Sequence, residues 1–125
     1  MRFLLVCLGG AVGTGARYLF GGWAQRAWGP AFPYGTLIIN AAGSFLLMVV
    51  MYLSLERGAL SPDARVVLGT GVMGGFTTYS TFNYETFRLM QQGSFAVAGL
   101  YLGGTVAGCL ASGALGLLLA RAVAG

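Results

Sequence analysis

The segment Gly74-Gly75-Phe76-Thr77-Thr78-Tyr79-Ser80-Thr81-Phe82 places paired glycines ahead of Thr77, Thr78, Ser80 and Thr81, within an otherwise uncharged stretch. Gly and Thr are weak helix formers, and the hydroxyls compete for backbone hydrogen bonds, so the segment predicts an interruption of whatever helix carries it. Such a break exposes carbonyls that can hold a cation and amides that favour an anion. The competing reading is a continuous Thr-rich helix whose hydroxyls bond back to their own turn. Tyr79 and Phe82 lie three residues apart and share a helical face. Their positive ring edges can attract an anion weakly, or the rings can simply pack.

Two further stripes carry polar groups. Thr36, Asn40 and Ser44 recur every four residues, so the Asn40 amide offers N–H donors on the same face as two hydroxyls. An Asn in an apolar helix is equally able to serve as glue between helices. Tyr101, Thr105, Cys109 and Ser112 keep one face at spacings of four, four and three, suited either to hydrating an ion along a route or to helix packing. Arg17 is the one charge well inside the first apolar stretch, able to snorkel to an interface or to set a positive field at a pore mouth. Glu85 follows Phe82 by one turn and precedes Arg88 by three residues, which predicts an intrahelical ion pair or, alternatively, control of access to the aromatic face.

The rest of the composition narrows the chemistry. Seven arginines, three acids and no histidine or lysine make 8% charged residues in 125, against about 25% in soluble domains, so no ordinary water-facing surface can be built. Glu56, Asp63 and Glu85 are the only carboxylates, which leaves little for acid–base or metal catalysis and argues against an enzyme. Cys7 and Cys109 sit singly in apolar stretches and read as small packing residues. The arginines form no basic run, so nucleic acid is not an expected partner.

These groups need elements to position them. Residues 27–55, 66–84 and 89–120 contain no charge, and residues 3–25 contain only Arg17, so each stretch can cross a bilayer that takes about 20 apolar residues per helix. The expected architecture is an all-α membrane protein of one integral domain, with four transmembrane helices at about residues 3–25, 34–55, 62–90 and 95–121. The third helix is expected to be broken mid-membrane. Pro30 and Pro33 end the first helix, Ser61-Pro62 starts the third, and Gln91-Gln92-Gly93-Ser94 separates the third from the fourth. The first run outlasts the 7 to 15 or so residues of a signal-peptide core, so it reads as a helix.

Four crossings put both termini and the loop between the second and third helices on one side. Arg2, Arg57, Arg65 and Arg121 lie there, against Arg26 and Arg88 opposite, with Arg17 nearer the latter. So small an Arg excess is compatible with insertion in both orientations, as an antiparallel dual-topology homodimer, or with one orientation set by the modest bias. Twenty-two glycines include Gly9-x-x-x-Gly13, Gly71-x-x-x-Gly75, Gly99-x-x-x-Gly103 and Gly104-x-x-x-Gly108, spacings that let helix backbones approach closely. A chain this short has little interior, so many of these faces are expected to meet a second copy.

Three segments resemble one family in order and position. They are Gly9-Gly10-Ala11-Val12-Gly13-Thr14-Gly15-Ala16-Arg17-Tyr18, Pro33-Tyr34-Gly35-Thr36-Leu37-Ile38-Ile39-Asn40-Ala41-Ala42-Gly43-Ser44-Phe45, and the glycine–threonine segment ending at Phe82. Together they resemble the fluoride channels of the CrcB/Fluc family over essentially the whole chain. The resemblance implies antiparallel dual-topology dimers with two fluoride pores, exporting fluoride passively across the microbial cytoplasmic (inner) membrane. It assigns the pore's amide donor to Asn40, the edge-on rings to Tyr79 and Phe82, further pore hydroxyls to Thr36 and Ser80, and a polar track to Tyr101, Thr105 and Ser112. It also assigns a structural sodium ion at the dimer centre to the backbone carbonyls of Gly74 and Thr77, completed by the second chain. Tyr79 stands where the family usually has Phe, and Cys109 where it commonly has a hydroxyl.

A dual-topology, proton-coupled multidrug exporter has similar size and charge balance. Its chemistry needs an intramembrane carboxylate, usually in the first helix, and that helix holds no acid. Fluoride is the expected substrate instead, with sodium, lipid and a second copy of the chain as partners.

Overall fold

The prolines and glycines punctuate the chain where expected. The computed structural model describes residues 1–125 and is entirely helical and irregular, with no strand. Helix α1 covers Arg2–Trp28 and ends where Gly29 takes a positive φ of 76° and returns its N–H to the Gln25 carbonyl. After the Pro30 to Pro33 turn, α2 covers Tyr34–Met51 and continues through a π-helical turn, Tyr52–Glu56. Ser61 then accepts the Ala64 N–H at 3.1 Å, with Pro62 in the first helical position, and starts α3, Pro62–Arg65. A π-helical stretch, Val66–Met73, leads into the short α4, Gly74–Phe76. Thr77 and Thr78 are extended, and α5, Tyr79–Gln91, starts beyond them with the Thr78 hydroxyl accepting the Thr81 N–H as its cap. The last helix, α6, covers Phe95–Ala124.

Three helices are long and apolar enough to cross a membrane: Arg2–Trp28, Tyr34–Glu56 and Phe95–Ala124. Residues 62–76 are helical throughout, with α, π and α hydrogen bonding in turn, and the backbone leaves the helix at Thr77 and Thr78, inside the glycine–threonine segment whose residues are weak helix formers. Only 18 of the 125 residues are buried, and exposed large side chains such as Phe3, Leu19, Leu46, Leu100 and Leu110 lie on every long helix. So much apolar surface is stable against acyl chains or another protein, not against water.

Packing within the chain pairs α1 with residues 66–76, and α2 with α6. In the first seam two of the four predicted glycine motifs, Gly9/Gly13 and Gly71/Gly75, meet. A Cβ at Gly75 would stand 2.5 Å from the Gly10 carbonyl oxygen, and one at Gly13 would collide with the Val72 carbonyl. Backbones this close leave no room for a side chain. In the second seam Ser112 donates to the Ala41 carbonyl at 2.7 Å, and Gly116 lies against the Phe45 backbone. A small core of Phe82, Leu89, Ala98 and Tyr101, flanked by Phe32, Leu37 and Met90, ties α5 to α6. The Gly99, Gly103 and Gly104 face of α6 meets nothing in the chain.

Arg2 pairs with Asp63, joining the start of α1 to the start of α3. It is the one ion pair in the chain. The predicted Glu85–Arg88 pair does not form, because the Glu85 carboxylate is turned to α6 and accepts the Tyr101 O–H at 2.9 Å.

Candidate functional site

The interruption between α4 and α5 is held from both sides. From α2, the Asn40 amide pairs with the Thr78 peptide: Nδ2 donates to the Thr78 carbonyl at 3.0 Å, and Oδ1 accepts the Thr78 N–H at 2.8 Å. One Asn40 N–H is left over, since the amide carries two donors. From α1, Arg17 Nε donates to the Gly75 carbonyl at 3.0 Å, so this arginine reaches the break and does not snorkel freely. The Thr77 hydroxyl bonds back to the Met73 carbonyl at 2.9 Å, the local competition expected of a Thr at a helix end. These contacts meet the requirement that non-helical backbone away from water find partners within the protein.

Two cavities flank this point, and Thr78 lines both. One, of about 320 Å³, is polar and is lined by Arg17, Thr36, Thr81, Glu85 and Arg88 among others. The other, of about 360 Å³, is a groove open to the surface of the chain, with Asn40, Ser44, Tyr79, Phe82, Thr105 and Cys109 on its wall beside Gly74 and Thr77. Phe82 is buried and Tyr79 is 77% exposed; their rings stand at 78° with centroids 5.8 Å apart. Tyr101 also stands edge-on to Phe82, with centroids at 5.1 Å. Thr105 Oγ1 is the one buried side-chain oxygen or nitrogen without a hydrogen-bond partner. Such a group is unfavourable unless something else, such as water or an ion, meets it.

Residues 4–117 match the family described as CrcB-like protein, Camphor Resistance (CrcB). The chain belongs to the CrcB family. A relative from Anaeromyxobacter dehalogenans is 59% identical over 99% of this chain and 98% of its own length, and is called "Fluoride-specific ion channel FluC". Proteins of the same name from Thermus thermophilus and Sorangium cellulosum are 50% and 48% identical, over 95% and 96% of this chain and 87% and 94% of their own lengths.

Against the sequence expectations for this CrcB-family chain, the structure gathers some residues and separates others. Asn40, Tyr79, Phe82, Thr105, Gly74 and Thr77 share the groove, whereas Thr36, Arg17 and Glu85 share the polar cavity. Ser80 is exposed and lines neither. The face carrying Tyr101, Thr105 and Ser112 divides: Tyr101 and Ser112 spend their hydroxyls on Glu85 and on Ala41, and only Thr105 is left unpaired. Sequence reasoning missed Thr78 as the wall common to both cavities. Its position inside the hydroxyl-rich segment was visible, but its pairing with Asn40 depends on how α2 sits beside the break.

Proposed function

We propose that this chain is a fluoride-selective channel that passively exports fluoride across the cytoplasmic (inner) membrane. In this reading residues 62–91 form a fourth, broken crossing, and the active unit is an antiparallel, dual-topology homodimer. One observation carries the reading. A groove of neutral donors and ring edges lies beside interrupted backbone, in a chain 59% identical to a protein named as a fluoride-specific channel.

The chemistry suits a small anion that holds its water tightly. A conducting path must replace hydration with compact donors and yet let the ion leave, which a fixed cation in the path would hinder. The spare Asn40 N–H and the unpaired Thr105 hydroxyl are such donors, and the rims of Phe82 and Tyr79 are weakly positive. The charged groups lie instead in the polar cavity across Thr78, where Arg17 and Arg88 outnumber Glu85. Fluoride enters from that cavity, passes Thr78 and Phe82, and follows the groove. Tyr101 holds the Glu85 carboxylate, so it is not free to swing across the route. Ser80 and Ser112 act in this scheme at the dimer surface and in α6–α2 packing respectively.

Sodium at the dimer centre fits the residues present. A continuous helix would send the amides of Thr78 and Thr81 to the carbonyls of Gly74 and Thr77. Those amides go to Asn40 Oδ1 and Thr78 Oγ1, leaving two carbonyl oxygens available to a hard cation. Gly74 is exposed on a single chain, as a site completed by a second copy requires. When bound, sodium supplies a fixed positive charge that favours anions nearby.

The test is a fluoride-electrode efflux assay on purified protein in liposomes, with chloride and a cationic drug as comparisons. The wild type dissipates a fluoride gradient, chloride hardly moves, and no pH-driven drug transport occurs. Asn40→Asp puts an acceptor where Nδ2 now donates to the Thr78 carbonyl and an anion on the route, and abolishes efflux while the protein still elutes as an assembled species. Undiminished flux in that variant overturns the assignment.

A further inference from the structure

The interruption at Thr77 and Thr78 frees several carbonyls, and the chain treats them differently. The Thr78 carbonyl is taken by Asn40 Nδ2. The Gly75 carbonyl is taken by Arg17 Nε at 3.0 Å, with the Thr14 hydroxyl at 3.5 Å. Gly74 and Thr77, on either side of Gly75, are the two whose i+4 amides are diverted to side chains. Arg17 makes this one hydrogen bond within the chain and no ion pair, although Glu85 lines the same cavity. A part-buried guanidinium is thus spent on one backbone oxygen at the break.

The geometry points to Arg17 as a positioning residue for the cation site: by fixing the Gly75 carbonyl to α1, it withdraws that oxygen and anchors the chain between Gly74 and Thr77, so that the carbonyls of those two residues stay open to sodium. This inference rests on the sodium reading above. It differs from a pore-mouth role, in which Arg17 would act on the anion. It also differs from a purely electrostatic role, because the guanidinium charge alone repels a neighbouring cation. The positioning and charge effects have opposite signs, so substitution separates them. Residues supporting a metal's ligands typically change affinity by about 10- to 100-fold when removed, and a clamp on the intervening peptide belongs to that class.

The experiment is thermal unfolding of the purified full-length protein over a sodium series, with potassium holding ionic strength constant. The wild type, Arg17→Met and Arg17→Lys are compared, and fluoride efflux is measured at low and saturating sodium. The wild type is stabilised by sodium. Arg17→Met needs at least about tenfold more sodium for the same stabilisation, and its efflux recovers at saturating sodium. Arg17→Lys, which keeps a charge and an N–H donor without the planar fork, falls between. An unshifted or tighter sodium response in either variant overturns the inference, as does efflux that stays lost at saturating sodium. If Arg17→Met does not assemble, Arg17→Lys decides alone by the same criterion. A wild type indifferent to sodium sinks the sodium reading and this inference together, whereas a responsive wild type with unshifted variants sinks the role of Arg17 only.

Discussion

The glycine motifs of α1 and of α6 have the same spacing and opposite fates. Gly9 and Gly13 close against Gly71 and Gly75 so tightly that backbone touches backbone, while Gly99, Gly103 and Gly104 face nothing in the chain. The difference lies in what each seam must hold. The α1 seam supports residues 66–76, which lead directly to the interruption, and a wide side chain there would displace Arg17 and the Gly75 carbonyl together. The α6 face carries no such burden within one chain and remains available to lipid or a second copy. Small-residue spacing thus says that a close approach is possible, without naming the partner.

The largest expected effect tests this contrast directly. Gly13→Val drives a side chain into the Val72 backbone, which neither helix can move aside without opening the seam. The expected destabilisation is about 3 kcal/mol or more, seen as loss of the folded species by size-exclusion chromatography and thermal unfolding. Gly99→Leu should leave helical content unchanged by circular dichroism, any loss being confined to self-association.

A finer contrast lies along α6. Thr105→Val removes a buried hydroxyl that has no partner in the chain, so stability should be unchanged or rise by about 1 kcal/mol while fluoride efflux falls severalfold. Ser112→Ala removes a bond to the Ala41 carbonyl and should lower stability by about 1 kcal/mol, with efflux nearly intact. Reversal of the two results would reassign which hydroxyl serves the ion. The smallest effect belongs to Asp63→Asn. Its pair with Arg2 is more than half exposed on both sides, so the expected loss is about 0 to 1 kcal/mol, and less at high salt.

How much of this was legible beforehand depends on the range of each interaction. Helix ends at Gly29 and Ser61 follow from local rules, because caps and prolines act over a few residues. The weak helix propensity of residues 74–82 is equally local, and the extended Thr77 and Thr78 lie within that segment. The Glu85–Arg88 expectation failed for the converse reason. Spacing on one helix permits the pair, but Tyr101 from another helix offers the carboxylate a buried donor at 2.9 Å, whereas Arg88 is exposed. Likewise the helical face carrying Tyr101, Thr105 and Ser112 was readable as a stripe, while the partner of each hydroxyl was not.

The sequence by itself determined that the chain lives in a membrane, where its three long apolar helices run and that residues 74–82 sustain helix poorly, since hydropathy and propensity are sums over neighbouring residues. Only the tertiary structure decided that Asn40 and Arg17 grip the two sides of the interruption and that Thr105 is left with a free hydroxyl. Those outcomes depend on which donor from another helix comes within about 3 Å of a given acceptor, a distance that no pattern along one strand of sequence can set.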